Sequence, residues 1–327
     1  TRFKCDWSSD VCSSDLRIIQ QQRRCLDDAG STLWNAASPK IYFGDGFFAS
    51  TTCDYAAVYQ LDLSGLGLTE VSSHLELFVG VQVLNLNDNQ LTSITPFMSR
   101  MTSLRYLDLS NNAIALLPFE TALAWSGFLV SLSLAGNPVA SRLDWSSTGI
   151  ATKRAGVDPL PSIVLQLAGT LNSLSLHNNS LTELPATVLQ LPLLAHLDIS
   201  HNNMTQLPDA IVAALPSMQF LNASRNRFAS LSSTLAMSNW RQLRTLDLSY
   251  IHAQTLPPEL SKLVPGVDLR LWGALDTTSL TWSSAQIVNL TAAVGQLTML
   301  TYFDLSYNNL VTVPKELGLL SNLQHLF

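Results

Sequence analysis

The chain has 327 residues, 47% of them hydrophobic and only 13% charged, a balance that excludes a disordered polymer and calls for a well-buried core. A net charge of −6 without a basic patch or a polybasic run argues against nucleic acid or anionic lipid as a partner. No apolar run approaches the roughly 20 residues that a membrane helix needs.

In chain order, Thr1–Leu16 comes first, and its centre reads DWSSDVCSSDL. It has no apolar period at 3.6 or at 2. Back-translated, it resembles the indexing primer of a short-read sequencing library. Residues 1–16 are therefore read as translated adapter, without packed structure, and set outside the fold. Native sequence is expected from Arg17, and the last motif stops part-way, so the chain is expected to be a fragment cut at both ends. Residues 17–57 carry Cys25 and Cys53 and many aromatic residues, but no internal repeat.

From Val58 onward the chain repeats L-x-x-L-x-L-x-x-N-x-L. Full copies are VQVLNLNDNQL (81–91), LRYLDLSNNAI (104–114), LVSLSLAGNPV (129–139), LNSLSLHNNSL (171–181), LAHLDISHNNM (194–204), MQFLNASRNRF (218–228) and LTYFDLSYNNL (300–310). Weaker copies begin at Val58 and Leu243 and around VDLRL (267–271), and a truncated one begins at Leu323. Alternating leucines point inward from a short strand, and stacked units merge their strands into a parallel sheet over one continuous core. The ninth-position asparagines Asn89, Asn112, Asn137, Asn179, Asn202, Asn226 and Asn308 sit where each strand ends. Their amides can both donate to and accept from turn backbone that would otherwise be buried unpaired. L-x-x-L-P follows, as in LTELP (181–185), and Pro opens a return segment whose 3–4 apolar spacing predicts short helix or 3-10 turns.

Corresponding leucines stand 23 residues apart, as in Leu61, Leu84 and Leu107, but Leu132 to Leu174 is 42 and Leu269 to Phe303 is 34. Irregular inserts are accordingly expected near 140–170 and 272–298, with LDW (143–145) a degenerate strand and 148–159 a loop exposing Lys153, Arg154 and Gly156. The ninth position lapses to Ile251 and then Ala274, just before the second insert.

This pattern resembles the leucine-rich repeat family, of the roughly 23-residue LP type, over about Val58–Phe327. The resemblance implies an α/β solenoid. It would be a curved horseshoe with parallel strands on its concave face and short helical, 3-10 or loop segments on its convex face. It implies a domain plan of an N-terminal cap at 17–57 and some ten repeats plus a truncated one over 58–327. A solenoid's first unit needs a cover. Extracellular members carry disulfide-linked caps, so the resemblance suggests a Cys25–Cys53 bridge. The type occurs in receptor-like ectodomains and in cytoplasmic scaffolds alike.

No P-loop, dinucleotide turn, zinc-protease, nucleophile-elbow or kinase signature is present, so no catalytic residue, cofactor or metal is assigned. His177, His196 and His201 fall on outward positions of adjacent units but lack a ligand set. The recurring Asp and Ser of LDLS are read as scaffold because they repeat. Sequons occur at Asn178, Asn203, Asn222 and Asn289, and a glycan on Asn222 would block the strand face. Outward third and eighth positions gather Tyr106, His196, Phe220, Arg225, Tyr250, Tyr302 and Tyr307, with Trp272 beside them. Such side chains make interface hot spots. The expected function is a non-catalytic module binding a protein or peptide ligand on that face. It would be the ectodomain fragment of a cell-surface receptor-like protein, with a kinase possible beyond Phe327. The alternative is an intracellular scaffold for a GTPase or kinase.

Overall fold

The computed structural model describes residues 40–43, 58–71, 75–76, 78–152, 158–229, 231, 240–263 and 267–327. The adapter-like residues 1–16, Cys25 and Cys53, most of the 17–57 segment, and Lys153, Arg154 and Gly156 lie outside the described residues. The chain divides into two compact units: residues 1–140 with 161–167, and residues 141–160 with 168–327.

In the first unit, β1 (Lys40–Phe43) runs antiparallel to β2 (Val58–Asp62). Then β3 (Val83–Asn85), β4 (Tyr106–Asp108) and β5 (Ser131–Ser133) follow in chain order, all parallel. The register sets Leu61 beside Leu84, Leu107 and Leu132, so like motif positions stack. The second unit holds a six-stranded parallel sheet: β6 (Arg142–Asp144), β7 (Ser173–Ser175), β8 (His196–Asp198), β9 (Phe220–Asn222), β10 (Thr245–Asp247) and β11 (Asp268–Arg270). It also holds a three-stranded one: β12 (Ser279–Thr281), β13 (Tyr302–Asp304) and β14 (His325–Leu326). This is a solenoid of parallel strands joined by short helical return segments, as the repeat implied. The return segments are 3-10 turns such as Pro96–Arg100, Ala186–Gln190 and Lys315–Leu319, and short α-helices at Phe119–Trp125 and Ile211–Ala214. Pro118, Pro185, Pro257 and Pro314 stand at their N-caps, where an absent N–H leaves nothing unpaired.

The core is built from the motif's inward positions. Leu84, Leu86, Leu107, Leu109, Leu174, Leu176, Leu197, Leu221, Leu246 and Leu248 are all buried. Each fully buried leucine contributes roughly 1.5–3 kcal/mol relative to exposure. Tryptophans add stitches between repeats. The indole N–H groups of Trp125, Trp240 and Trp282 donate to the carbonyls of Met98 at 3.2 Å, Leu215 at 3.0 Å and Leu256 at 2.7 Å, each in the preceding repeat. A buried indole needs that partner.

The buried asparagines hold the turns together, all with one pattern. In Asn202, Oδ1 accepts from Leu181 N at 3.0 Å, and Nδ2 donates at 3.0 Å to both Leu176 O of the previous repeat and Ile199 O of its own. Asn226 repeats this with Met204 N, Ile199 O and Ala223 O. Asn89, Asn112, Asn137, Asn179 and Asn308 do likewise. The sixth-position carbonyls of Leu86, Leu109, Leu176 and Ile199 are thus each shared by two amides, which links successive turns.

Both stretches expected to be inserts hold a strand: β6 meets the degenerate strand expected at LDW (143–145), whereas β12 had no expected counterpart, and the reason is physical. Leu143 lies 11 residues after Leu132, and Leu280 lies 11 after Leu269. Residues 140–150 and 277–287 are motif blocks fused directly to the block before, with no return segment between. Leu280 to Phe303 is then the regular 23. Both blocks put Trp at the sixth position, Trp145 and Trp282, each 1% exposed, and neither keeps the ninth-position Asn. Thr148 substitutes for it in part, its Oγ1 donating to Trp145 O at 2.9 Å. Without a return segment the chain cannot circle back to lay the next strand beside the last. One sheet ends at β5 and the next opens at β6; one ends at β11 and the next opens at β12. A glutamine holds a rung at each terminated edge. Gln166 accepts from Leu132 N at 2.5 Å and donates to Val130 O at 3.0 Å. Gln296 accepts from Leu271 N at 2.6 Å and donates to Leu269 O at 3.3 Å. In each case a side-chain amide stands where one residue of a neighbouring strand would pair.

Replacing Asn202, 5% exposed, by Ala orphans the Leu181 N–H and strips one donor from two buried carbonyls. The expected loss is about 2–3 kcal/mol. Asn308→Ala, at a half-exposed site that water can reach, should lose about 1 kcal/mol. Urea-unfolding midpoints of the two variants test this, and equal shifts would mean that burial of the ladder does not set its contribution.

Candidate functional site

The outward strand face is where chemistry unconstrained by the core can sit. Its fifth and seventh positions are spoken for. Ser110 donates to Asp108 Oδ1 through N at 2.9 Å and Oγ at 2.6 Å, and the same turn joins Asp62 to Ser64, Asp144 to Ser146 and Asp198 to Ser200. These Asp–Ser pairs close the strand ends and are scaffold, as their repetition indicated. The Ser146 hydroxyl holds the Asp144 carboxyl below its ordinary range, and Ser306 does the same for Asp304.

The eighth position has its own constraint. Its backbone is left-handed in unit after unit: Asp88 at φ 54°, Asn111 at 53°, Asn178 at 53°, His201 at 54°, Arg225 at 53°, Tyr250 at 57° and Tyr307 at 55°, with Gly65, Gly136 and Gly273 at the equivalent places. A Cβ on Gly136 would stand 2.3 Å from Asn111 Oδ1, and one on Gly273 would stand 2.7 Å from the Tyr250 ring, so a side chain at either place would have to displace its neighbour's.

Of the eight residues expected on the binding face, Tyr106 belongs to the first unit, where it is half exposed on β4. The other seven belong to the second. There the structure brings two pairs together: His196 stacks with Phe220 at a ring separation of 6.4 Å, and the Arg225 guanidinium lies 4.7 Å from the centre of the Tyr250 ring. Tyr302 is half-buried against His325 and Phe327, whereas Tyr307 stands 87% exposed. Trp272, 50% exposed, accepts from Tyr250 N through its carbonyl at 2.8 Å and lines a cavity of about 330 Å³. His177 and His201 meet edge to face at 4.7 Å, and His177 Nδ1 bonds Ser200 Oγ at 2.8 Å. His196 contacts Phe220, not this pair. Among the described residues no group of three or more His, Cys, Asp or Glu is placed to hold a metal.

Some residues escaped the sequence pattern. Arg270, in a column of carboxylates and amides, bonds Asp268 at 2.7 Å and reaches Asp247 at 3.7 Å, and the Asp268 hydrogen bond raises its pKa further. Gln166 and Gln296 gave no signal at all, because a lone Gln in a return segment is unremarkable until the sheet edge beside it is known. Of the sequons, Asn178 and Asn289 are exposed. Asn222 is half-buried, with Nδ2 on Asp198 Oδ2 at 3.3 Å and Oδ1 accepting from Ser224 Oγ at 2.8 Å.

Comparison with known proteins matches three stretches of this solenoid to family profiles: "Leucine rich repeat" over residues 169–228, "Leucine Rich repeats (2 copies)" over 79–121 and "Leucine Rich Repeat" over 299–326. These stretches are leucine-rich repeats. Among curated proteins it is 34% identical over 122 residues to the mouse transforming growth factor beta activator LRRC32, covering 37% of this chain and 18% of that one. The Pongo abelii counterpart matches at 34% over 114 residues, 35% and 17% of the two chains. The match thus spans less than a fifth of these relatives' length. Similar solved structures include a leucine-rich repeat protein of Leptospira interrogans, 23% identical over 84% of each chain at a TM-score of 0.34. Another is the plant peptide hormone receptor RGFR1 in complex with RGF2, 19% identical over 83% and 47% of the two chains at 0.36. Among the described residues no helix is long and apolar enough to cross a membrane.

Two outcomes follow from the leucine-rich repeat framework. Tyr307→Gly should stabilise the chain by about 0.5–1 kcal/mol, since about 1–2 kcal/mol of left-handed strain outweighs the ~0.5–1 kcal/mol of added freedom in the unfolded chain; a lower urea midpoint would contradict this. His201 has its pKa lowered, first by burial and then by His177 and Arg225, with Asp198 opposing. Its contribution to stability is therefore complete above the ordinary value of 6.5 and is lost as pH falls through the lower folded value. Thermal melts between pH 8 and 5 should show that loss, and His201→Gln should remove it; the separate loss tied to Asp144 and Asp304 falls at still lower pH, below their ordinary 3.8.

Proposed function

We propose that the strand face of the repeats is a binding surface for a protein or peptide, in a non-catalytic module that is part of a cell-surface, receptor-like protein. The observation that carries this is a pair of stacks on the outward face, the exposed His196 on the half-buried Phe220 and the exposed Arg225 on Tyr250. Nothing in the core requires an aromatic or a guanidinium there. Stacking fixes their rotamers before a partner arrives, which lowers the ordering entropy of association. Aromatic and Arg side chains of this kind supply most of the energy at interface centres. The similarity to a growth factor activator favours a protein ligand in an extracellular setting. With that setting go a covering segment at 17–57, tied by Cys25 and Cys53, and glycans at the exposed Asn178 and Asn289 rather than at Asn222.

The test is capture of a partner from a secreted or cell-surface protein pool, followed by a comparison of wild type with Phe220→Ala and Arg225→Ala at matched circular dichroism. Loss of at least about 2 kcal/mol of affinity is expected for the double variant. Unchanged affinity would move the site off this face. Thiol titration of a chain beginning at Arg17, denatured and unreduced, reads the setting independently: no reactive thiol fits the extracellular reading, and two reactive thiols fit the intracellular one.

A further inference from the structure

We infer that the gap between β11 and β12 is a second docking site, which takes an extended peptide by strand addition and places one of its basic side chains in the adjoining cavity. The first observation is the edge of β11. Its Leu269 carbonyl and Leu271 N–H face the gap, and they are held by the side chain of Gln296 rather than by a strand. A primary amide offers the same donor and acceptor as one backbone peptide group. An incoming strand can therefore replace it rung for rung, exchanging like hydrogen bonds and adding others along its length. The return turn that carries Gln296 packs closely on the next one: Gly295 is buried, and a Cβ on it would stand 2.3 Å from Glu316 O.

The second observation is the cavity beside this rung, of about 330 Å³. That volume is at the low end for a small-molecule site, which runs from about 300 to 1,000 Å³, and suits a single long side chain. Its lining includes Trp272, Asp268, Glu316 and Gln296, and among the described residues both charged lining groups are acidic. Asp268 is shared with Arg270, at 2.7 Å, which leaves Glu316 as the carboxylate that faces an incoming cation. The half-exposed indole of Trp272 supplies a face for that cation. A lysine or arginine side chain meets Glu316 and the Trp272 indole at once, whereas a glutamate meets the like charge of Glu316. This site does not depend on the stacks at Phe220 and Arg225.

The experiment uses the full chain and three short synthetic peptides of alternating threonine and valine with lysine, alanine or glutamate at the centre, titrated calorimetrically. The lysine peptide should bind about tenfold tighter than the glutamate peptide, a difference of ~1.4 kcal/mol. Gln296→Ala removes the competing amide and should tighten the lysine peptide about three- to tenfold, while Glu316→Gln should weaken the lysine peptide and leave the alanine peptide unchanged. N-methylation of the peptide backbone should abolish binding, and Phe220→Ala should have no effect. Equal affinity for the lysine and glutamate peptides overturns the proposal. So does a Gln296→Ala chain that loses stability but binds no tighter, which makes Gln296 an edge cap alone. If Gln296→Ala does not fold, the Glu316→Gln comparison decides by itself.

Discussion

Everything in this fold hangs on one hydrogen-bonding problem. A chain that turns every 23 residues over a leucine core buries backbone groups at each turn, and an unpaired buried amide costs about 1–3 kcal/mol. The ninth-position asparagine solves this with a side chain that both donates and accepts. Asn202 reaches Leu176 O behind it and Ile199 O in its own repeat, and Asn226 reaches the same Ile199 O from the next one. Satisfaction of one turn therefore depends on the turn that follows. This coupling makes the repeats cooperative, where hydrophobic stacking alone would let them slide.

The return segment is the second constraint. Where it is present, the next strand arrives in register; where two motif blocks are fused, 11 residues carry the chain only from one strand through its turn. Sheet continuity fails at both such places. The ninth-position asparagine is missing from both fused blocks, at Thr148 and Ala285, but it is also missing at Leu66 and Ile251, where the next strand still pairs, so the missing return segment and not the missing asparagine is the common cause. Both breaks are sealed alike, by a glutamine amide on the exposed edge, which is how an open edge is kept from pairing at random.

The regular repeats were legible because their signal is redundant: leucine spacing, asparagine and proline agree. The two fused blocks were not, because at Trp145 and Trp282 a larger apolar residue fills the sixth position, and Ala140 and Thr277 stand where the first leucine should be. Packing accepts these exchanges, but a pattern built on leucine does not see them. The LDW stretch (143–145) hinted at the first. For the second, the 34-residue spacing held the answer as a fused block of 11 plus a regular 23. On the outward strand face, residue type and column could be read, but which neighbours touch could not. His196 pairs with Phe220 and Arg225 with Tyr250 because like positions of adjacent strands stand side by side, while Trp272, in a different column, faces a cavity that only the break creates.

The eighth position separates framework from function most sharply. Its left-handed backbone recurs in both units, so the strain is architectural and marks no single site. Glycine or asparagine is the least strained choice there, and Gly65, Asn111, Gly136, Asn178 and Gly273 follow that rule. Asp88, Ser147 and Ser284 depart from it with small side chains and His201, Arg225, Tyr250 and Tyr307 with large ones, and three of those last four stand in contiguous or near-contiguous repeats of the second unit. A side chain that the fold would rather omit must draw its reason from elsewhere. Arg225 and Tyr250 partly justify each other by stacking, at about 0.5–1 kcal/mol for an exposed cation–π pair, yet that falls short of the roughly 1–2 kcal/mol of strain on each. The deficit is what a partner on the strand face would have to repay.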